Sequence, residues 1–331
     1  MTCRVWAEHF RPSTIITPDT IELLSRYDVC VDIAVHTLLD VRYIRMLHTL
    51  EEADIEVGLW LLLDEREGYW VSAQNVSTFL RYLRKTFQLL SAHDLQVEWI
   101  AVDLEPPRSH VKAFHRTSLS KKPRFALNYV TRSLKNGGYD DSSSKFGEVI
   151  DVVHDHGAKT LAAMLDLVLF DVYRRSEIMQ HALGTPITSV KWDLVSPMVY
   201  TSLIHNHARG LVTWTDARYW VYFASKLTKQ MFGNRAAISL GAIDPKSPED
   251  PRYFNDPLDL LPDVSAALAG GIPRHHVSLY KLEGILRSSL PSRWFEMVLH
   301  NNPKIPPRST KVTLFYRIMS DIGLPILGKI A

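Results

Sequence analysis

The chain has 331 residues, 46% of them apolar, which is enough material for one large core. Its 38 basic and 36 acidic residues leave a net charge of +2, so no global imbalance points to nucleic acid as a partner. No apolar run approaches the length of about 18 residues that spans a bilayer, so no membrane span is expected.

In chain order, apolar runs of strand length alternate with longer helical patterns. The start, "MTCRVWAEHFRPS", lacks the apolar stretch of a secretory leader, and the expectation is a cytoplasmic protein. "CRVWAEHF" (3–10) precedes a helix over 18–27, and "VCVDIAVH" (29–36) precedes one over 37–53. Cys3 and Cys30 open these neighbouring strands; free thiols are expected rather than a bridge. "IEVGLWLLLD" (55–64) precedes a helix over 76–93 with Asn75 as its N-cap, and "VEWIAVDLE" (97–105) precedes a long insertion and a helix over 144–156. "KTLAAMLDLVLFD" (159–171) leads to a short helix at 176–183, and "WDLVSPMVYTS" (192–202) to one at 215–232 that ends at Gly233. "AAISLGAID" (236–244) leads to a helix at 257–269 opened by Asp256-Pro257, and "HVSLYKLEG" (276–284) to a last one at 291–300.

Strand and helix alternate strictly, and the strands read as near-continuous apolar runs, as strands buried on both faces do. This pattern predicts an α/β fold, a (β/α)8 TIM barrel, over 1–302. A doubly wound sheet is the runner-up, but no glycine-rich nucleotide signature follows any strand. The basic insertion 108–143 is expected to wall the barrel mouth, and the extension 303–331 to pack on the barrel's outside.

The C-terminal ends of barrel strands carry active sites. Reading each end assigns Glu8, Asp32, His36, Asp64, Asp166, Met198, Asp244, Tyr280 and Glu283 to substrate binding. Trp6, Trp60, Trp70 and Trp214 lie nearby. Carboxylates beside aromatic faces suit a sugar, whose C–H face stacks while its hydroxyls find acceptors. The same inventory describes any polar barrel mouth.

"VEWIAVDLEPP" (97–107) is more specific. Alternation puts Trp99, Ala101, Asp103 and Glu105 on one face, with two acids at the end of an apolar approach. Neighbouring buried carboxyls split their pKa values, which keeps one protonated near neutrality, as glycoside cleavage requires of its general acid. The competing reading is a structural pair satisfied by Lys or Arg across the barrel.

The segment resembles the fourth-strand signature of family 18 chitinase-like glycoside hydrolases, D-x-x-D-x-D-x-E on a (β/α)8 barrel. "EWIAVDLE" matches its last two acids with Asp103 and Glu105, while Glu98 and Ala101 stand at the first two acid positions. The sixth-strand M-x-Y-D is matched by Met198 and Tyr200, with Thr201 in the last place, and the third-strand S-x-G-G is absent. The D-x-E pair is also similar to the lysozyme-like family 25 barrels. The resemblance implies Glu105 as general acid, with Asp103 and Tyr200 as catalytic partners.

The expectation is a glycosidase acting on a carbohydrate, with no cofactor and no metal. Two alternatives are a carbohydrate-binding barrel without catalysis, which the departures at 101 and 201 permit, and a metal-dependent barrel enzyme acting on sugars or sugar phosphates.

Overall fold

In the computed structural model, described for residues 3–36, 38–118, 121–135, 139–208, 210–244 and 253–330, eight parallel strands close on themselves in sequence order. They are β1 (Cys3–Ala7), β2 (Val29–Val35), β3 (Val57–Leu61), β4 (Trp99–Leu104), β5 (Lys159–Leu165), β6 (Leu194–Val199), β7 (Ile238–Gly241) and β8 (Val277–Tyr280). β1 pairs with both β2 and β8, which closes the TIM barrel.

Alternation divides each strand between two cores. Val5, Val31, Leu59, Ile100, Ala162, Val195 and Leu240 face the surrounding helices. Trp6, Cys30, Trp60, Trp99, Ala101, Leu161 and Leu194 fill the barrel itself. Cys3 belongs to the first set and Cys30 to the second, so the two free thiols point to opposite sides of the sheet.

Helices follow where the apolar periodicity places them, among them Val41–Glu52, Val76–Ala92, Trp214–Phe232 and Pro257–Ala269. Asp256 caps the last of these through the Leu258 N–H. The helix Trp214–Phe232 starts on a capping box of Thr213 and Asp216, one residue before the expected start.

Asn75 holds the expected N-cap position, but its side chain makes no capping bond; its amide accepts from the Ser72 N–H (2.8 Å) and donates to the carbonyls of Glu67 and Trp70 (both 2.8 Å). The residue therefore ties down the loop after β3 instead of the helix that follows it.

The insertion after β4 is helical over Arg108–Arg116 and Lys122–Lys135, with 119–120 and 136–138 outside the described residues. The extension forms the helix Thr310–Ile318, a wide π turn at Met319–Gly323 and the helix Leu324–Ile330. Tyr316 donates from it to the Leu169 carbonyl (3.3 Å), behind the end of β5. No helix among the described residues is long and apolar enough to cross a membrane.

Candidate active site

β4 ends at Leu104, so Asp103 is the last inward residue of the strand and Glu105 the first residue beyond it. Pro106 and Pro107 cannot continue the ladder, and the chain turns there into the helix Arg108–Arg116. Asp103 is buried, with Oδ1 lacking any hydrogen-bond partner, while Glu105 is half-buried at the opening.

Glu8 joins these two acids. It stands just past β1 on the inward face, two positions beyond Trp6. Its Oε1 accepts from the Tyr69 hydroxyl (3.1 Å) and its Oε2 from the Tyr280 hydroxyl. The Tyr280 ring stacks on Tyr200 with centroids 5.4 Å apart. Glu8, Asp103, Glu105, Tyr69, Tyr200 and Tyr280 thus form one cluster at the C-terminal mouth of the barrel.

The electrostatics follow from that crowding. Burial, then the charges of Glu105 and Glu8, push the Asp103 carboxyl well above its ordinary range. Burial and Glu8 raise Glu105 to about 8. Tyr200 is driven up by burial and by the charges of all three acids, which holds it as a neutral hydroxyl. Both members of the Asp103–Glu105 pair therefore resist ionisation: Asp103 feels the charges of Glu105 and Glu8, and Glu105 that of Glu8. A Lys or Arg partner would oppose these shifts, and none is among the charges acting on either acid.

Tyr69 is the residue that sequence reading missed. It adopts a left-handed backbone (φ 68°), uncommon for an aromatic residue and costly unless the surroundings enforce it. They do. Its N–H donates to the Asp64 carbonyl (3.2 Å), its carbonyl accepts from Leu63 (2.9 Å), and the Arg108 guanidinium lies 4.2 Å over its ring. The Val71 N–H donates to the Asp103 carbonyl (3.0 Å), which fastens the loop to β4 beside the acids. The only sequence signal was a Gly-Tyr-Trp stretch within a loop, where Gly68 also takes a left-handed conformation.

Other expected residues fall in or near the cluster. Met198 faces the barrel interior beneath it. His36 stands at the rim, its ring 5.8 Å from that of Tyr69. Trp6 lies on the floor, donating to Ser239 (3.1 Å), which in turn bonds Ser196 (3.0 Å).

Five assignments need correction. Asp32 has the inward direction but the wrong depth. It is in register with Gly58, and Gly58 with Trp99, two inward positions below Asp103. There it is fully buried in a bidentate ion pair with Arg4 (Nε to Oδ2, 3.0 Å, and a second contact through Nη2). A Cβ on Gly58 would lie 2.1 Å from Asp32 Oδ1, so glycine leaves the room this pair occupies.

Asp166 starts a 3-10 turn and accepts from the Trp220 indole (2.6 Å), on the helix side of the barrel. Asp244 meets Arg287 (3.4 Å) and Lys281 (3.8 Å) outside the cluster. Asp64 is exposed and caps the turn Glu65–Glu67 through the Arg66 N–H. Glu283 accepts from the backbone N–H groups of Glu8 (2.7 Å) and His9, and so holds the end of β1 from behind.

Among the described residues, no three His, Cys, Asp or Glu side chains are grouped to hold a metal ion. No family model and no curated protein matches the chain. Two solved structures that resemble it are epimerases. One is an E. coli 3-keto-D-glucoside 4-epimerase (TM-score 0.47, 13% identity, covering 90% of this chain and 97% of that one). The other is a Methylomonas sp. D-allulose 3-epimerase (TM-score 0.44, 10% identity, covering 100% and 98%). These likenesses concern the course of the chain and carry nothing about chemistry.

Proposed function

We propose that the protein is a carbohydrate-active enzyme that cleaves a glycosidic bond, with Glu105 as the general acid. One observation carries this reading: a half-buried carboxyl at the barrel mouth whose pKa is raised to about 8, so that it holds its proton at neutral pH. A group poised near the working pH is the efficient proton donor to a leaving oxygen.

The remaining roles follow from hydrogen bonding. Glu8, with both oxygens already accepting from tyrosine hydroxyls, is a poor proton donor and a well-oriented acceptor. It is the group to face the positive charge that grows at the anomeric carbon, either stabilising it or attacking it. Asp103 lies beneath; burial and the charges of Glu105 and Glu8 raise it, so that a proton stays on the pair. Tyr200 and Tyr280 offer a stacked aromatic wall, and Trp70 stands half-buried beside Tyr69 (5.4 Å).

A panel of aryl and natural glycosides, assayed with wild type and Glu105→Gln, tests this. The variant is expected to lose about 10²–10⁴-fold in kcat on poor leaving groups, and less on activated aryl leaving groups that depart unaided. Wild-type protein that cleaves nothing, yet binds glycans with a Kd unchanged by the substitution, would replace the enzyme with a binding barrel.

A further inference from the structure

The C-terminal segment presents two unlike faces. One is seated on the barrel's outer helices: Tyr316 bonds the Leu169 carbonyl, Ser320 bonds the Phe170 carbonyl (3.2 Å), Leu324 is fully buried, and Asp321 pairs with Arg174 (3.0 Å). The other carries Leu314, Ile318, Ile322 and Ile326, which recur every four residues, with Phe315 beside them. All five are 45–60% exposed.

A strict four-residue repeat drifts around a 3.6-residue helix. The π turn at Met319–Gly323 is wider per turn and offsets that drift, so the apolar stripe stays on one side while Ser320 and Leu324 stay on the other. Leu167 and Leu211, also exposed, line the same groove as Val312 and Phe315 and extend the stripe onto the barrel.

The rod's own charges are predominantly basic, while the groove beside it also carries Asp166 and Asp216, the latter paired with Lys311 (3.8 Å). Within 303–331 the basic residues are Lys304, Arg308, Lys311, Arg317 and Lys329, all exposed, and the single acid is Asp321, already engaged by Arg174. A second copy of the chain docked on this face would bring like charges together. An apolar stripe bordered by cations is instead complementary to the surface of an anionic bilayer, where the side chains sink to the acyl boundary and the cations meet acidic headgroups.

We infer that the C-terminal rod is a peripheral docking surface for membranes rich in anionic lipid. Membrane binding here is reversible and needs no spanning segment. It does not depend on the chemistry at the barrel mouth.

The full chain is to be floated with vesicles of phosphatidylcholine alone or with about 30% phosphatidylserine, at low and high salt. Binding to the anionic vesicles at low salt is expected to exceed binding to neutral ones by about tenfold or more, and to fall as salt screens the cations. Ile318→Glu/Ile322→Glu and, separately, Arg317→Glu/Lys329→Glu change exposed side chains only. Each is expected to keep the wild-type circular dichroism and melting temperature while losing about tenfold or more in vesicle binding. Equal binding to both vesicle types, no binding by folded wild type, or unchanged binding by both variants overturns the inference. So does a dimer in sedimentation equilibrium that Ile318→Glu/Ile322→Glu dissociates without any lipid binding by wild type, which would assign the face to a second copy.

Discussion

Two levels of the barrel interior carry acids, and they are treated in opposite ways. At the lower level, Asp32 meets Arg4 in a bidentate pair, the Arg4 guanidinium also stacks on Trp99 (4.6 Å), and Gly58 yields space to it. Burial works against both charges: Asp32 more than restores that of Arg4, while Arg4 offsets only part of the rise that burial imposes on Asp32. At the upper level, Asp103, Glu105 and Glu8 crowd together, with tyrosine hydroxyls donating to Glu8 and His9 Nε2 3.5 Å from it, and one Asp103 oxygen is left without a partner among the described residues. A folding chain that needed both levels only for stability would compensate both. The uncompensated one holds protons that a substrate can take, at a position the substrate can reach.

The widest separation between the levels is expected in activity. Glu105→Gln should lower kcat for poor leaving groups by about 10²–10⁴-fold, roughly 3–5 kcal/mol of barrier, while the protein stays folded. Glu8→Gln, which leaves Glu105 without its charged neighbour, should move the acidic group seen in a pH–rate profile downward from about 8. A profile that stays put would detach Glu8 from the proton.

Stability should separate them the other way. Asp32→Ala leaves Arg4 charged and buried without a partner and is expected to cost about 3–5 kcal/mol, read as a fall in the urea midpoint at constant slope. If Asp32→Ala is as stable as wild type, the lower level is not structural.

A pH series refines this further. The Glu105 pKa is raised on folding from 4.5 to about 8, so the folded state favours its protonated form. That contribution to stability is fully present below the unfolded value and is lost as pH rises through the folded one. Glu105→Gln removes this loss. Its stability relative to wild type should therefore climb by up to about 1.4 kcal/mol per pH unit between those values, and a flat difference would contradict the shift.

The smallest effect concerns Tyr69. Tyr69→Phe deletes the bond to Glu8 but keeps the ring under Arg108, and should reduce kcat/KM by about fivefold, near 1 kcal/mol. Tyr200→Phe, also a single hydroxyl, should cost less than either acid of the pair.

Two of the errors in the sequence reading share a cause that strand alternation exposes. On β5 the inward residues are Leu161 and Ala163, so Asp166 has the outward parity, and it does point to Trp220. Asp244, three residues past the end of β7, has the outward parity counted from Ser239, which is inward and bonds Trp6. Counting by twos from the strand core would have removed both. It would not have removed Asp32, whose parity is right; only the register against Gly58 and Trp99 shows how deep it lies.

The sequence by itself determined the barrel, because strand and helix periodicities are local and each of the eight units carries its own turn and cap signals. It also placed Asp103, Glu105, Tyr200, Tyr280 and Glu8 at strand ends on one side of the sheet, since alternation needs no partner strand to be read. Tertiary structure alone decided which acids meet. Glu8 reaches Tyr69 and Tyr280 across separations of 61 and 272 residues. Depth in a closed barrel follows from stagger between strands, and a pKa follows from which charges burial brings together. Neither is a property of any one segment, and so the proton on Glu105 could be suspected from "VDLE" but located only once the barrel closed around it.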